Sequence, residues 1–249
     1  MSFERRNLCE ATGFFYCYNN ERFLVSNWHV FSGRDPRSGQ PICQHGGVPD
    51  EVDLPLHCHN EIGRCRSYTA KLSDEFGIAK WLQHPTGQQI DVAVYPVSDI
   101  PEDSRVFPLP FTNEYDIELQ VTADVYIVGY PRGISQKGIF PVWKRGSVAT
   151  EPELPYRNAP KFLVDSATRE GMSGSPVFLR KPGVRTEIVN GQAEMRSCQL
   201  TRFVGVYSGR YGAKEDEAVQ LGIVWHRSVI HETIEARVKG TYLLNSSLT

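Results

Sequence analysis

The sequence predicts an all-β domain of barrel type with one helix near its C-terminus. Three observations carry this. Apolar and β-branched runs are short, and Gly-, Pro- and Asn-rich turns separate them. Helical spacing occurs in one stretch, His226 to Arg237, where Val229, Ile230, Ile234 and Val238 share a side. The 249 residues suit one large β domain or two small ones, and 1–249 is read as one. Hydrophobic residues make up 40% and charged residues 22%, as in an ordinary globular protein with a sizeable core. A net charge of −2 gives no general pull toward nucleic acid or anionic membrane.

Residues 11–32 read as a hairpin. Aromatic runs flank Asn19-Asn20, and the second strand is expected to end at Ser26-Asn27-Trp28-His29-Val30. A His beside a Trp is more often a packed residue than a catalyst, but this one closes a strand before a loop. Residues 33–70 read as a loop insertion. Cys43, His45, His57, Cys58, His59 and Cys65 cluster there. They are zinc-ligand types, but their spacing fits no common zinc pattern, so a surface loop without metal is expected. Alternation returns over 68–97, where Asp91 opens the apolar Val92-Ala93-Val94 run. Asp91 either caps a turn or orients an imidazole.

A Pro- and acid-rich connection follows over 100–120. Strands are then expected over 121–129, as a pair within 139–150, and over 161–165. Glu170-Gly171-Met172-Ser173-Gly174-Ser175-Pro176-Val177 comes next. Its glycines permit a tight turn that lifts one hydroxyl and aims peptide N–H groups in front of it. Taken alone, this is equally an ordinary Gly/Ser/Pro turn. Residues 183–199 read as a polar hairpin insertion, and 202–209 and 220–225 as two more strands. No secretory leader or membrane-length apolar run is visible. The six cysteines are read as reduced thiols, and a cytoplasmic location is expected.

His29, Asp91 and Ser173 stand in that chain order, and their flanks resemble those of one family. Ser-Asn-Trp-His-Val resembles a T-x-x-H-V/C strand end, Asp91-Val-Ala-Val a D-I-A-L, and Gly171-Met-Ser-Gly-Ser-Pro a G-x-S-G-G/S-P. Together they resemble the chymotrypsin/trypsin-like serine peptidases, most closely the bacterial V8-like and Deg/HtrA-like branches. Gly129-Tyr-Pro-Arg-Gly and Leu221-Gly-Ile-Val agree with those branches.

The resemblance implies two six-stranded antiparallel β-barrels and a C-terminal helix. Residues 9–105 would carry His29 and Asp91, and 118–237 would carry Ser173. It implies a serine endopeptidase: Ser173 as nucleophile, His29 as base, Asp91 as its partner, and the Gly171 and Ser173 N–H groups as an oxyanion hole. No cofactor is implied, and the partners are protein or peptide substrates, few in number, with a regulatory protein as an added expectation. An inactive peptide-binding scaffold of the same fold is the alternative. Asp74 and Asp99 lack the strand context of Asp91.

Met172 stands where animal relatives place the Asp that pairs with a new N-terminus, so activation of that kind is not expected. The chain ends soon after its helix, so no PDZ module is expected. Ala167 and Thr168 align with the specificity pocket, and Tyr207 stands where glutamate-specific relatives carry His. With Arg210 nearby, an acidic or polar residue before the cleaved bond is expected. Ser208 and Gly209 are expected to offer backbone hydrogen bonds to an extended substrate.

Overall fold

In the computed structural model, residues 2–3, 6–59, 61, 63–111, 114–189, 192–211 and 220–242 are described. The first half holds β1 (Ser2–Phe3), β2 (Arg6–Asn7), β3 (Phe14–Tyr18), β4 (Glu21–Ser26), the short helix α1 (Trp28–Ser32), β5 (Glu51–Cys58), β6 (Cys65–Lys71), β7 (Leu82–Gln83), β8 (Ala93–Pro96) and β9 (Ser104–Arg105). The second holds β10 (Asp124–Gly129), β11 (Val142–Val148), β12 (Lys161–Asp165), β13 (Pro176–Val189), β14 (Gln192–Arg210), β15 (Leu221–His226) and the helix α2 (Ser228–Ala236).

The second half closes into a six-stranded antiparallel barrel in the order β10-β11-β12-β15-β14-β13. Closure leaves no free strand edge around the barrel, and alternate residues of every strand fill its interior. Val125, Ile127, Phe162, Val164, Val177 and Val224 do so here. The first half builds its β layer as two sheets, β3-β4-β8-β7 and β2-β1-β5-β6 with β9. Both contribute to one apolar cluster that includes Leu24, Val52, Ala70, Trp81 and Tyr95. Backbone bonds from Lys80 N–H to Leu72 and from Asp74 N–H to Ile78 carry the chain from β6 toward β7.

A third cluster joins the halves. Phe14, Phe23 and Val94 from the first pack with Phe178, Phe203 and Trp225 from the second, and with Val229, Ile230 and Ile234 of α2. At about 25 cal/mol per Å² of apolar surface buried, this shared core is what holds the two halves as one unit. Across it, α2 also bonds to the first half through His231 with Tyr16 (2.7 Å) and Glu232 with His84 (3.0 Å).

Three expectations need correcting. His29 does not end a strand. β4 stops at Ser26, and His29 lies in α1, whose C-terminus turns at Gly33 (φ 68°), with Gly33 N–H bonded to His29 C=O. Burial of Trp28, Val30 and Phe31 outweighs the strand preference of these aromatic and β-branched residues. The excursion expected through residue 70 ends near 50, because β5 and β6 form a long hairpin. Pro55, the histidines and the cysteines obscured its alternation. Residues 139–150 supply one strand, β11, rather than a pair. The insertion over 183–199 is the outer part of the β13–β14 ribbon, paired from Pro176 with Val206 to Val189 with Gln192.

Candidate active site

Asp91 lies just before β8 and is 3% exposed. Its Oδ2 receives His29 Nδ1–H at 2.7 Å and the Ser208 hydroxyl at 2.5 Å, and its Oδ1 receives the His29 backbone N–H at 2.9 Å. The last bond satisfies an amide at the start of α1 that has no partner within the helix. Asn27 Nδ2 donates to the Asp91 carbonyl at 2.7 Å. Three donors on one buried carboxylate fix its orientation and, through it, the imidazole ring. Burial pushes the His29 pKa down. The Asp91 charge and hydrogen bond, with Asp35 farther off, outweigh it and hold His29 above the ordinary histidine value.

Ser173 sits on a loop with left-handed glycines on both sides, Gly171 (φ 87°) and Gly174 (φ 84°). A Cβ on Gly171 would stand 2.3 Å from the Tyr130 carbonyl, and one on Gly174 2.1 Å from the Thr12 carbonyl. Neither position admits a side chain. The Glu170 carbonyl accepts from Arg132 N–H at 2.8 Å, and the Met172 carbonyl from Ser175 N–H at 3.0 Å. In a trans peptide the C=O and N–H point opposite ways. These bonds therefore turn the Gly171 and Ser173 N–H groups away from Arg132 and Ser175, and among the described residues neither group donates to the protein.

Thr12, not singled out in the sequence, fastens this loop. Its N–H donates to the Ser173 carbonyl at 2.9 Å, and its hydroxyl donates to the Gly171 carbonyl at 2.7 Å. That same oxygen accepts from Tyr130 N–H at 3.1 Å, and Ser26 Oγ donates to the Thr12 carbonyl at 2.8 Å. Met172 is fully buried in the barrel core. Apolar anchoring thus holds the loop at the position where the sequence lacks an ion-pairing Asp.

Ser173 and the His29–Asp91 pair are linked through β14 where the halves join. Gly174 N–H bonds to Tyr207 C=O and Tyr207 N–H to Ser175 C=O, laying the serine loop along β14. Ser208, next on that strand, reaches Asp91 across the junction. Gly209 (φ 102°) approaches so closely that a Cβ there would lie 3.8 Å from Ser173 Oγ. Between Tyr207 and Arg210 the β14–β15 register shifts, leaving Ser208 and Gly209 outside the ladder. Among the described residues Ser173 Oγ makes no hydrogen bond, to His29 or to any other group.

The expected specificity residues divide. Thr168 and Tyr207 are both buried, and their hydroxyls bond to each other. The Thr168 hydroxyl expected to face an acidic side chain is therefore already engaged. Burial pushes the Tyr207 phenol up to about 12 against smaller opposing effects of Thr168 and Arg210, so it stays neutral. Ala167 is exposed and Arg210 half-buried. A cavity of about 940 Å³ between the halves reaches Thr12 and Ser26 from behind but not His29, Asp91 or Ser173. Its volume is no guide to the chemistry.

Most of the Cys/His segment lies on or beside the β5–β6 hairpin, where Cys58, His59 and Cys65 line one small pocket. His57 packs against the rings of Phe107 (5.5 Å) and Phe140 (5.1 Å), where burial lowers its pKa and Arg105 lowers it further. All six cysteines are unbridged. Among the described residues no group of three or more His, Cys, Asp or Glu is placed to hold a metal ion, and no helix is long and apolar enough to cross a membrane.

Comparison with known proteins adds a family. The profile described as "Trypsin-like peptidase domain" matches residues 11–184. No curated protein matches the chain in sequence. Among solved structures, similarity is found to an inactive form of Rv3671c from M. tuberculosis, at 15% identity over 94% of this chain and 83% of that one, with a TM-score of 0.45. The human heparin binding protein aligns at 14% identity over 89% and 82% (TM-score 0.45). A thermostable serine protease, AL20, from an extremophilic microorganism aligns at 12% over 90% and 94% (TM-score 0.42).

Proposed function

Because this chain belongs to the trypsin-like peptidase family, we propose that it is a serine endopeptidase acting through His29, Asp91 and Ser173. The observation that carries the reading is the buried Asp91 carboxylate, which orients His29 while the serine loop presents two undonated N–H groups. Ser173 Oγ attacks the substrate carbonyl carbon as its proton passes to His29 Nε2. Negative charge developing on the carbonyl oxygen is met by Gly171 and Ser173 N–H, each worth about 10²–10³ in turnover. The C–N bond breaks, and the amine leaves with the proton from His29. Water then attacks the acyl-serine ester by the same route, releasing the carboxylic acid and restoring Ser173. Asp91 stabilises the imidazolium formed in each half.

An extended substrate pairs with Ser208–Arg210, where the register shift has freed backbone groups. Selectivity for few proteins, a cytoplasmic site of action and control by a protein partner belong to the same proposal. The test is incubation of the protein and its Ser173→Ala variant with a proteome-derived peptide mixture, with new termini mapped by mass spectrometry. Cleavage by the first alone is expected. Equal peptide patterns with both would overturn endopeptidase activity.

A second reading has one observation in its favour: the Ser173 to His29 hydrogen bond is not formed. A latent enzyme, or a peptide-binding scaffold, would keep that arrangement when peptide is bound. Active enzymes also tighten such bonds only on binding substrate. Peptide bound by the protein but never cleaved would favour this reading.

A further inference from the structure

Cations collect along one side of the cleft. The turn after β11 brings Tyr156 back to Ala159 through Arg157 (φ 51°) and Asn158 (φ 58°). It sets the Arg157 guanidinium over the rings of Tyr211 (5.1 Å) and Tyr156 (5.8 Å), which themselves meet edge to face at 5.8 Å. Lys161, at the start of β12, is half-buried with its ammonium 4.8 Å from the Trp225 ring centre. Arg37, beyond α1, adds to the same field: burial, then Arg37 and Arg157, lower the Lys161 pKa, against Asp91. Among the described residues no carboxylate is in ion-pair contact with Arg37, Arg157 or Lys161. Arg145, Arg185 and Arg227, by contrast, do have such partners.

Ring faces hold these cations without neutralising them, and an acidic side chain would complete what the rings begin. Their place relative to Ser173 sets which part of a substrate they meet. Going from Ser208 to Tyr211, the chain leads away from Ser173 and toward Arg157. Every strand pairing in this barrel is antiparallel. A substrate added antiparallel to Ser208–Arg210 therefore runs toward Ser173, and its residues beside Tyr211 lie N-terminal to the cleaved bond. We propose that Arg157 and Lys161 form a subsite for Asp or Glu side chains about two to four residues before that bond, so that the substrates are acidic segments. This rests on the peptidase reading above and goes beyond it.

The peptide mixture supplies the test. Asp and Glu should be enriched at those positions, and the Arg157→Gln, Lys161→Met double variant should lower the acidic-to-neutral cleavage ratio roughly tenfold. Arg145→Gln, which removes a cation elsewhere, should leave the ratio as it is. Cleavage with no acidic enrichment, or a ratio unmoved in the double variant, would overturn the subsite while leaving the peptidase reading standing. Binding gives a second arm that needs no turnover. A fluorescein-labelled Ala-Glu-Glu-Glu-Ala-Ala-Ala peptide should bind the Ser173→Ala protein more tightly than its Gln counterpart, and less so after the double substitution. Preferential acidic binding without any cleavage would support the subsite and count against the peptidase reading. Equal binding of the two peptides would overturn the subsite by itself.

Discussion

Replacing Thr12 by Val keeps the shape of a β-branched side chain and deletes one hydroxyl. Two groups lose their partner, the buried Gly171 carbonyl at 2.7 Å and the half-buried Tyr130 N–H at 3.1 Å. A buried polar group left unsatisfied costs about 1–3 kcal/mol. The sum, about 2–6 kcal/mol, is a large part of a usual stability of about 5–15 kcal/mol. For a chain of this size it lowers Tm by roughly 4–24 °C. Function should fall further than stability explains. The Gly171 carbonyl is one of the points that fix the orientation of the serine loop, so its release lets the Gly171 N–H drift from the position where negative charge forms. Full loss of one such donor is worth about 10²–10³, and partial loss should slow the rate by about 10–100-fold. The assay is the second-order rate of Ser173 labelling by a fluorophosphonate, measured well below Tm beside Thr12→Ser, which keeps the hydroxyl. Thr12→Ser should stay near the parent in both measurements. A Thr12→Val protein with unchanged Tm and labelling rate would refute the role given to Thr12.

Three further outcomes follow from the same geometry. Gly171→Ala places a Cβ 2.3 Å from the Tyr130 carbonyl, at a φ that costs an L-residue about 1–2 kcal/mol. Turnover should drop by about 10²–10³ with KM little changed, and a change confined to KM would contradict it. Ser208→Ala removes one of three donors from Asp91, which leaves more of the carboxylate's charge to His29; NMR titration of the imidazole should show its pKa rising, and no movement would count against the bond. The pH dependence of labelling should show a rise with a midpoint above about 6.5, because His29 must be neutral to act as base and its pKa is held up by Asp91. Stability should run the other way. A raised folded-state pKa means that the His29–Asp91 pair stabilises fully below the unfolded value of about 6.5, and that this contribution is lost as pH rises through the folded value. A labelling midpoint at or below 6.5 would contradict the pairing.

His29, Asp91 and Ser173 were legible because each sits in a short stretch whose neighbours are constrained locally: glycines where the chain must turn left-handed, an apolar run after the acid. The strands of the closed barrel were legible for a similar reason, since alternation is local. What stayed hidden depends on distant partners. Thr12 lies 159 residues from the carbonyl it holds, and Ser208 lies 117 from Asp91. Nothing near either hydroxyl marks its target. α1 looks like strand in the sequence because Trp28, Val30 and Phe31 favour strands locally, whereas their burial in the core decides their conformation. The Thr168–Tyr207 pairing is hidden for the same reason, since it joins the loop after β12 to β14. Arg157 and Lys161 are unremarkable as sequence, and only the fold sets them beside Tyr211 and Trp225.

In the proposed function Ser173 is a nucleophile activated by His29 and Asp91. The most direct test is a fluorophosphonate reaction with the intact protein, with the adduct located by mass spectrometry, beside the Ser173→Ala, His29→Ala and Asp91→Asn variants. A single adduct on Ser173 is expected, absent in the first variant and slowed by orders of magnitude in the other two. An adduct elsewhere, or Ser173 labelling that is indifferent to the loss of His29 and Asp91, would contradict that role.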